Sequence, residues 1–375
     1  MKFIISSSEL LQQVGLVVGV VPAKAVVPII QNLLFEVTDK RLTITATDLE
    51  NTMHTTTAVE AEEDSRKVCL PAKLILDILK AIDNQPITIT IPENSFVCEV
   101  TTLNGKYKIS GENGEDFPRI TLPENTRSVQ MPMPYLVRAI EKTLFAASTD
   151  EHRPAMNGML FNFKEKSATF VATDATRLVK YQRTDIESDS EFKFILPPKA
   201  LKLLKGSASG SAELIRIDFN DRNAVFNIGS IMLVCQLIDD RYPEYEAVIP
   251  IQSPNRLIVN KKDFISSLKR LIIFANKTSH LSRFKLIGNS IELTAEDQDL
   301  ANEAKETLHG LYEGEELEIG FNSQMIQEII TNTDTEDVIL ELGTPGRAVI
   351  ILPTTQEANE NVLMLAMPSM LNSSY

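Results

Sequence analysis

An α+β fold repeated three times along the chain is what this sequence predicts, and phrases that recur at one spacing predict it. The strand-like run Leu42-Thr43-Ile44-Thr45-Ala46-Thr47-Asp48 returns as Ala168-Thr169-Phe170-Val171-Ala172-Thr173-Asp174 and as Ile291-Glu292-Leu293-Thr294-Ala295-Glu296-Asp297, its aspartates 126 and 123 residues apart. An apolar stripe at helical spacing appears at Leu10, Leu11, Val14, Val17 and Val18, then at Leu136, Val137, Ile140, Leu144 and Phe145, then at Phe264, Ile265, Leu268, Leu271 and Ile272. Self-similarity at so long a period indicates whole domains set side by side, because solenoid repeats are much shorter.

The remaining elements keep the same order in each copy. A short apolar strand leads into a second helix at Val68-Cys69-Leu70-Pro71-Ala72-Lys73, at Phe194-Ile195-Leu196-Pro197-Pro198-Lys199 and at Glu318-Ile319-Gly320-Phe321-Asn322-Ser323. Alternating runs such as Ile87-Thr88-Ile89-Thr90-Ile91 and residues 211–219 supply further strands, mostly antiparallel. Each copy closes on a proline phrase: Asp116-Phe117-Pro118, Arg241-Tyr242-Pro243, and Ala366-Met367-Pro368. Polar stretches at 123–128 and 252–255 mark the joints, giving domains at 1–126, 127–253 and 254–375.

Composition narrows the function classes. With 375 residues, 43% hydrophobic and 23% charged, the chain has material for more than one core and a globular profile throughout. Cys69, Cys98 and Cys235 are odd in number and far apart, which fits a reducing, cytoplasmic compartment and neither a disulfide framework nor a zinc site. Lys2 and the Ala23-Lys24-Ala25 stretch imitate a secretory leader, yet Glu9, Gln12 and Gln13 interrupt its apolar core, and the clean run at 16–22 is too short to span a bilayer.

The net charge of −14 taken alone opposes nucleic-acid binding. Its distribution says otherwise. The expected helices at 7–20, 71–82, 134–147, 197–206, 261–277 and 323–333 hold twelve Lys and Arg against five Asp and Glu, a net +7 in a chain whose remainder carries −21. Lys199, Lys202 and Lys205 recur every third residue, and Lys261, Lys262, Lys269, Arg270 and Lys277 frame another helix, the arrangement that contacts phosphates without reading bases. For any one helix a solvated face explains this as well. Like domains joined by like interfaces turn by a like angle at each step and close into a ring when that angle divides a full turn. A basic inner wall and an acidic exterior would then let duplex DNA pass through and slide.

Carboxylates and histidines give no catalytic constellation. Asp48, Asp174 and Asp297 recur once per domain and so read as turn residues at strand ends. His54, His152, His280 and His309 lack metal-ligand spacing, and residues 206–210 lack the Gly-Lys-Ser/Thr of a phosphate loop and read as a turn. No catalytic residue, metal or cofactor is expected.

Several motifs together resemble one family in order and spacing: Met1-Lys2-Phe3, Pro28-Ile29-Ile30-Gln31-Asn32-Leu33-Leu34, Thr47-Asp48-Leu49-Glu50, Asn157-Gly158-Met159-Leu160-Phe161, Ala172-Thr173-Asp174 with Arg177-Leu178, Arg241-Tyr242-Pro243-Glu244-Tyr245, Glu318-Ile319-Gly320-Phe321-Asn322, and Met367-Pro368. On these the chain is similar, over essentially its whole length, to the β subunit of bacterial DNA polymerase III, the sliding-clamp family. The resemblance implies a head-to-tail homodimer closed around duplex DNA, helices lining the hole and antiparallel sheets outside. It also implies a processivity factor that tethers the replicative polymerase, the clamp loader and other replication and repair proteins through short motifs. DNA-contacting candidates are Lys24, Lys73, Lys80, Arg138, Lys142, Arg153, Lys199, Lys202 and Lys205. Groove positions carried over from the family are Met156, Thr173, Arg177, Leu178, Pro243, Val248, Leu281, Asn322, Met325, Met367, Pro368 and Met370, with Met364 fitting a core strand equally well. Methionines suit a surface that accepts several partners in turn. Closing contacts would pair Tyr107 and Ile109 with Ile273 and Phe274 of a second copy, although all four also fit a core. The chain departs from the family's pattern at Ala175-Thr176 and Pro154-Ala155 and continues into residues 372–375. The rival reading is a scaffold that binds only proteins, its basic helices merely solvated.

Overall fold

The computed structural model describes residues 1–61, 67–208 and 214–371. Among the described residues six α-helices form at the expected positions: α1 (Ser7–Val17), α2 (Ala72–Ala81), α3 (Met133–Thr143), α4 (Pro198–Gly206), α5 (Lys261–Phe274) and α6 (Ser323–Thr331). Their starts are set by local chemistry. Asn260 accepts from the amides of Lys262 and Asp263 to cap α5, Asn322 accepts from Met325 to cap α6, and proline preorganises the first turn of α4. Three ends fall short of the expectation. α1 and α3 tighten into 3-10 turns at Val18–Val20 and Leu144–Ala146, and α5 stops at Phe274, so Lys277 lies beyond it. Gly206 ends α4 instead of opening a turn, and residues 209–213, which complete that expected turn and begin the expected strand, lie outside the described residues.

Contacts sort the chain into two compact units, Met1–Arg138 with Leu196–Asp239, and Ala139–Ile195 with Asp240–Tyr375. Strand pairing is the reason the middle repeat contributes to both. In the first unit the fourth strand of the first repeat, Asn51–Ala58, pairs with Ile231–Gln236, the last strand of the second repeat, with Met53 opposite Leu233. That pairing merges nine strands into one antiparallel sheet, and a five-stranded sheet ending on Lys106–Ser110 completes the unit. In the second unit the fourth strand of the second repeat, Arg177–Arg183, pairs with Glu360–Ala366, the last strand of the third, with Val179 opposite Met364, inside a twelve-stranded sheet. The same joint is thus made twice.

Cores lie between helices and sheets within each unit. Leu10, Val14 and Val17 of α1 are fully buried, and α1 packs on α2 and on Asn51–Ala58, so the segment that imitates a leader is core structure here. Phe161, Phe163, Phe170, Phe192 and Phe194 stack in the second unit, with the Phe161 and Phe194 centroids 4.8 Å apart. Cys69, Cys98 and Cys235 are free and buried, and burial pushes each thiol up to about 12. Among the described residues no helix is long and apolar enough to cross a membrane, and no three His, Cys, Asp or Glu gather as metal ligands would.

Candidate partner groove, basic residues and strand edges

The recurrent aspartates are turn residues. Asp48 Oδ1 accepts from the amides of Glu50 and Asn51, Asp174 Oδ1 from Thr176 and Arg177, and Asp297 Oδ1 from Asp299. Leu49 and Ala175, the residues that follow the first two, hold φ of 81° and 77°, a left-handed conformation that glycine adopts at less cost. The departure at Ala175 therefore places a strained residue beside Arg177.

Around that turn the second unit forms a hollow of about 530 Å³, lined by Asp174, Thr176, Arg177, Asn322, Met325, Glu328, Met367 and Pro368 among others. Sheet register assembles it. Arg177 stands opposite Ala366, which brings Met367 beside the turn, and the Met367 amide donates to Thr176 O. Asn322 and Met325 enter from the start of α6, and Ser369 bridges to Gly320 on the strand before it. The guanidinium of Arg177 is held on three sides: Nε donates to Asp174 Oδ2 at 2.9 Å, Nη1 to Glu328 Oε2 at 2.5 Å, and its central carbon lies 5.5 Å from the Phe145 ring centroid.

Five of the twelve expected groove residues, Arg177, Asn322, Met325, Met367 and Pro368, line this hollow. Thr173 and Leu178 sit behind it, opposite each other in the hairpin and buried. Leu281 lies opposite Asn322 and lines a neighbouring hollow of about 380 Å³. Met156, Pro243, Val248 and Met370 line neither hollow; Val248 and Met370 are exposed at 51% and 84%. Met364 is wholly buried and belongs to the core strand. Tyr242, beside Pro243, donates to Val171 O, and burial drives its phenol pKa upward. Glu328 and Asp174 were not among the expected groove residues; the i,i+3 spacing of Asp174 and Arg177 was the one signal available for either.

The expected DNA-contacting cations divide by exposure. Lys24, Lys73, Lys80, Arg153, Lys202 and Lys205 are exposed and Arg138 is half-buried. Lys142 corrects the expectation: its side chain is 7% exposed, and its ammonium donates to Asn332 O at 2.7 Å and meets Asp334 at 2.5 Å. Lys261 donates to Thr331 O and Thr333 O, so two ammonium groups satisfy the carbonyls at the end of α6. Desolvation first, then Lys142 nearby, lowers the Lys261 pKa, with Asp334 opposing. Lys199 is likewise committed, 2.5 Å from Asp48 Oδ2 and donating to Val20 O. Replacing Lys142 by Met is expected to destabilise the fold by about 1–3 kcal/mol, read by urea unfolding, because a carboxylate and a carbonyl lose their buried partner.

Of the expected closing residues, Tyr107, Ile273 and Phe274 are exposed at 42%, 74% and 39%. Ile109 is 1% exposed, its side chain packed in its own domain, which fits the core reading of that position. Two strands with open edges among the described residues lie in the same repeats as these positions. Lys106–Ser110 ends the five-stranded sheet, and Asn302–Glu313 pairs over its first residues with Ser290–Asp297 alone.

Known structures share this arrangement. The DNA polymerase III subunit beta from Pseudomonas aeruginosa superposes with a TM-score of 0.93 at 25% identity, covering 99% of this chain and 100% of that one. Beta sliding clamps from Synechocystis sp. and Synechococcus elongatus are each 28% identical, the first over 94% of this chain and 96% of its own length, the second over the whole of both. The fold is thus that of the sliding clamps. Models of the N-terminal, central and C-terminal domains of the DNA polymerase III beta subunit match residues 1–122, 130–244 and 246–368 in turn. This chain belongs to the DNA polymerase III beta subunit family, the processivity factors of DNA replication.

Proposed function

We propose that this chain acts without chemistry of its own, as a cytoplasmic clamp that closes head to tail with a second copy around duplex DNA, slides along it, and tethers the replicative polymerase through the groove beside Arg177. The domains at 1–126, 127–253 and 254–375 are the repeating parts of that ring. The observation that carries this reading is the joint made twice in one chain, in which the fourth strand of one repeat pairs with the last strand of the next. Among the described residues one fourth strand, Asn302–Glu313, and the last strand of the first repeat longer than two residues, Lys106–Ser110, remain over, and a second copy would satisfy both.

The internal joints also supply a register. Cys235 pairs with Asn51 and Ala366 with Arg177, each partner lying three residues past its turn aspartate. In the longer third hairpin the matching residue is Asn302, which pairs with Asp297. Ile109 is the buried residue that stands where Cys235 and Ala366 stand. Carried across, Ile109 faces Asn302, Tyr107 faces Ala304, and Lys108 faces Glu303. Charge supports the match, because Glu296 and Glu303 sit side by side near Asp299, an acidic edge suited to Lys106 and Lys108. Tyr107, Ile273 and Phe274 then supply apolar cover.

Exposed Lys24, Lys73, Lys80, Arg153, Lys202 and Lys205, with Arg138, are the candidates for meeting the phosphate backbone, without Lys142 and Lys199. A Lys108→Cys, Glu303→Cys double variant is expected to form a disulfide-linked dimer under mild oxidation, since facing residues in an antiparallel pair lie within disulfide reach. The native cysteines are buried and do not compete. Monomer alone, or equal cross-linking by either single variant, would count against this closure.

A further inference from the structure

The groove reading leaves the chemistry of the docked segment open, and the charges around the hollow narrow it. Its charged lining residues are Asp174, Arg177 and Glu328, two carboxylates to one guanidinium. Arg177 is spent: its side chain is only 14% exposed, clamped between those carboxylates and stacked over Phe145. Glu328, in contrast, is 46% exposed even with one carboxylate oxygen on Arg177, and it lines the hollow together with the apolar Met325, Met367 and Pro368. A carboxylate on an incoming segment would meet like charge with no lining cation left to receive it, whereas a cation would find an accessible acid beside the apolar floor.

We propose that this groove selects peptide segments in which Lys or Arg flanks the apolar anchor residues, with Glu328 receiving the cation. This deepens the groove reading and rests on it.

Two fluorescein-labelled hexapeptides test it, sharing a Leu-Met-Leu-Phe centre and carrying Lys at both ends or Glu at both ends, titrated into the full-length protein by anisotropy. The Lys-ended peptide is expected to bind about fivefold more tightly at low salt, with the gap closing in molar salt. Because the whole chain is acidic, the deciding comparison is between Glu328→Gln and Glu165→Gln, which remove the same charge at the groove and at a distant exposed turn. Loss of the preference in Glu328→Gln, its survival in Glu165→Gln and its survival in Glu328→Asp support the assignment. Equal binding of the two peptides, or equal loss in both Gln variants, overturns it while leaving the groove standing. Failure of both peptides to bind even the unaltered protein removes the groove reading, and the inference with it.

Discussion

Replacing Met325 and Met367 together by Ala is expected to weaken docking of the polymerase, or of an apolar-anchored peptide, by about a hundredfold. Each side chain contributes apolar surface to the hollow beside Arg177, and loss of about 3 kcal/mol of burial on binding corresponds to that factor. Stability changes little on the Met367 side, where the residue is 36% exposed, but its backbone amide still holds Thr176 O. Dimerisation and retention on DNA should survive, because neither methionine lies on an open strand edge. The measurement is a peptide titration beside a native mass determination. Unaltered affinity in the double variant would place the docking site elsewhere, with exposed Val248 and Met370 the next positions to test.

The second large effect concerns charge. Reversing Lys73, Lys202 and Lys205 to Glu turns three exposed cations on α2 and α4 into anions. Retention on duplex DNA is expected to fall by about one to two orders of magnitude at moderate salt, and the dependence of retention on salt to become shallower. The same reversal at Lys199 would be a poorer test, because it breaks the pair with Asp48 and mixes folding with binding. Unchanged retention alongside an intact dimer would remove these helices from the DNA-facing surface.

Much of the fold was legible because the duplication repeats its own punctuation. Turn aspartates, proline phrases and apolar stripes recur together, and the six helices begin within about two residues of the expected positions. Partition into contact units was not legible, since it depends on which strand edges meet, and strand pairing across repeats leaves no local pattern. The groove was legible only through resemblance: sheet register brings Met367 beside Arg177, and Asn322 joins them from the start of α6, at separations no spacing argument reaches. Counting charge by helix found the basic elements but could not tell an exposed lysine from one spent on a carbonyl. Lys142, Lys199 and Lys261 are of the second kind, fixed by Asp334, Asp48 and the end of α6. The burial of Ile109 was open for a related reason, since alternation in a strand does not say which face meets its own core and which meets a partner.

Encirclement itself is tested by retention on DNA of different topology. Dimers of the Lys108→Cys, Glu303→Cys variant, loaded on a nicked circular plasmid and then oxidised so that both joints are covalently closed, should stay bound through a wash in molar salt. They should fall off once the plasmid is cut to a linear form. Equal release from circular and linear DNA as salt rises would mean that the protein binds the outside of the duplex, and the ring would have to be abandoned.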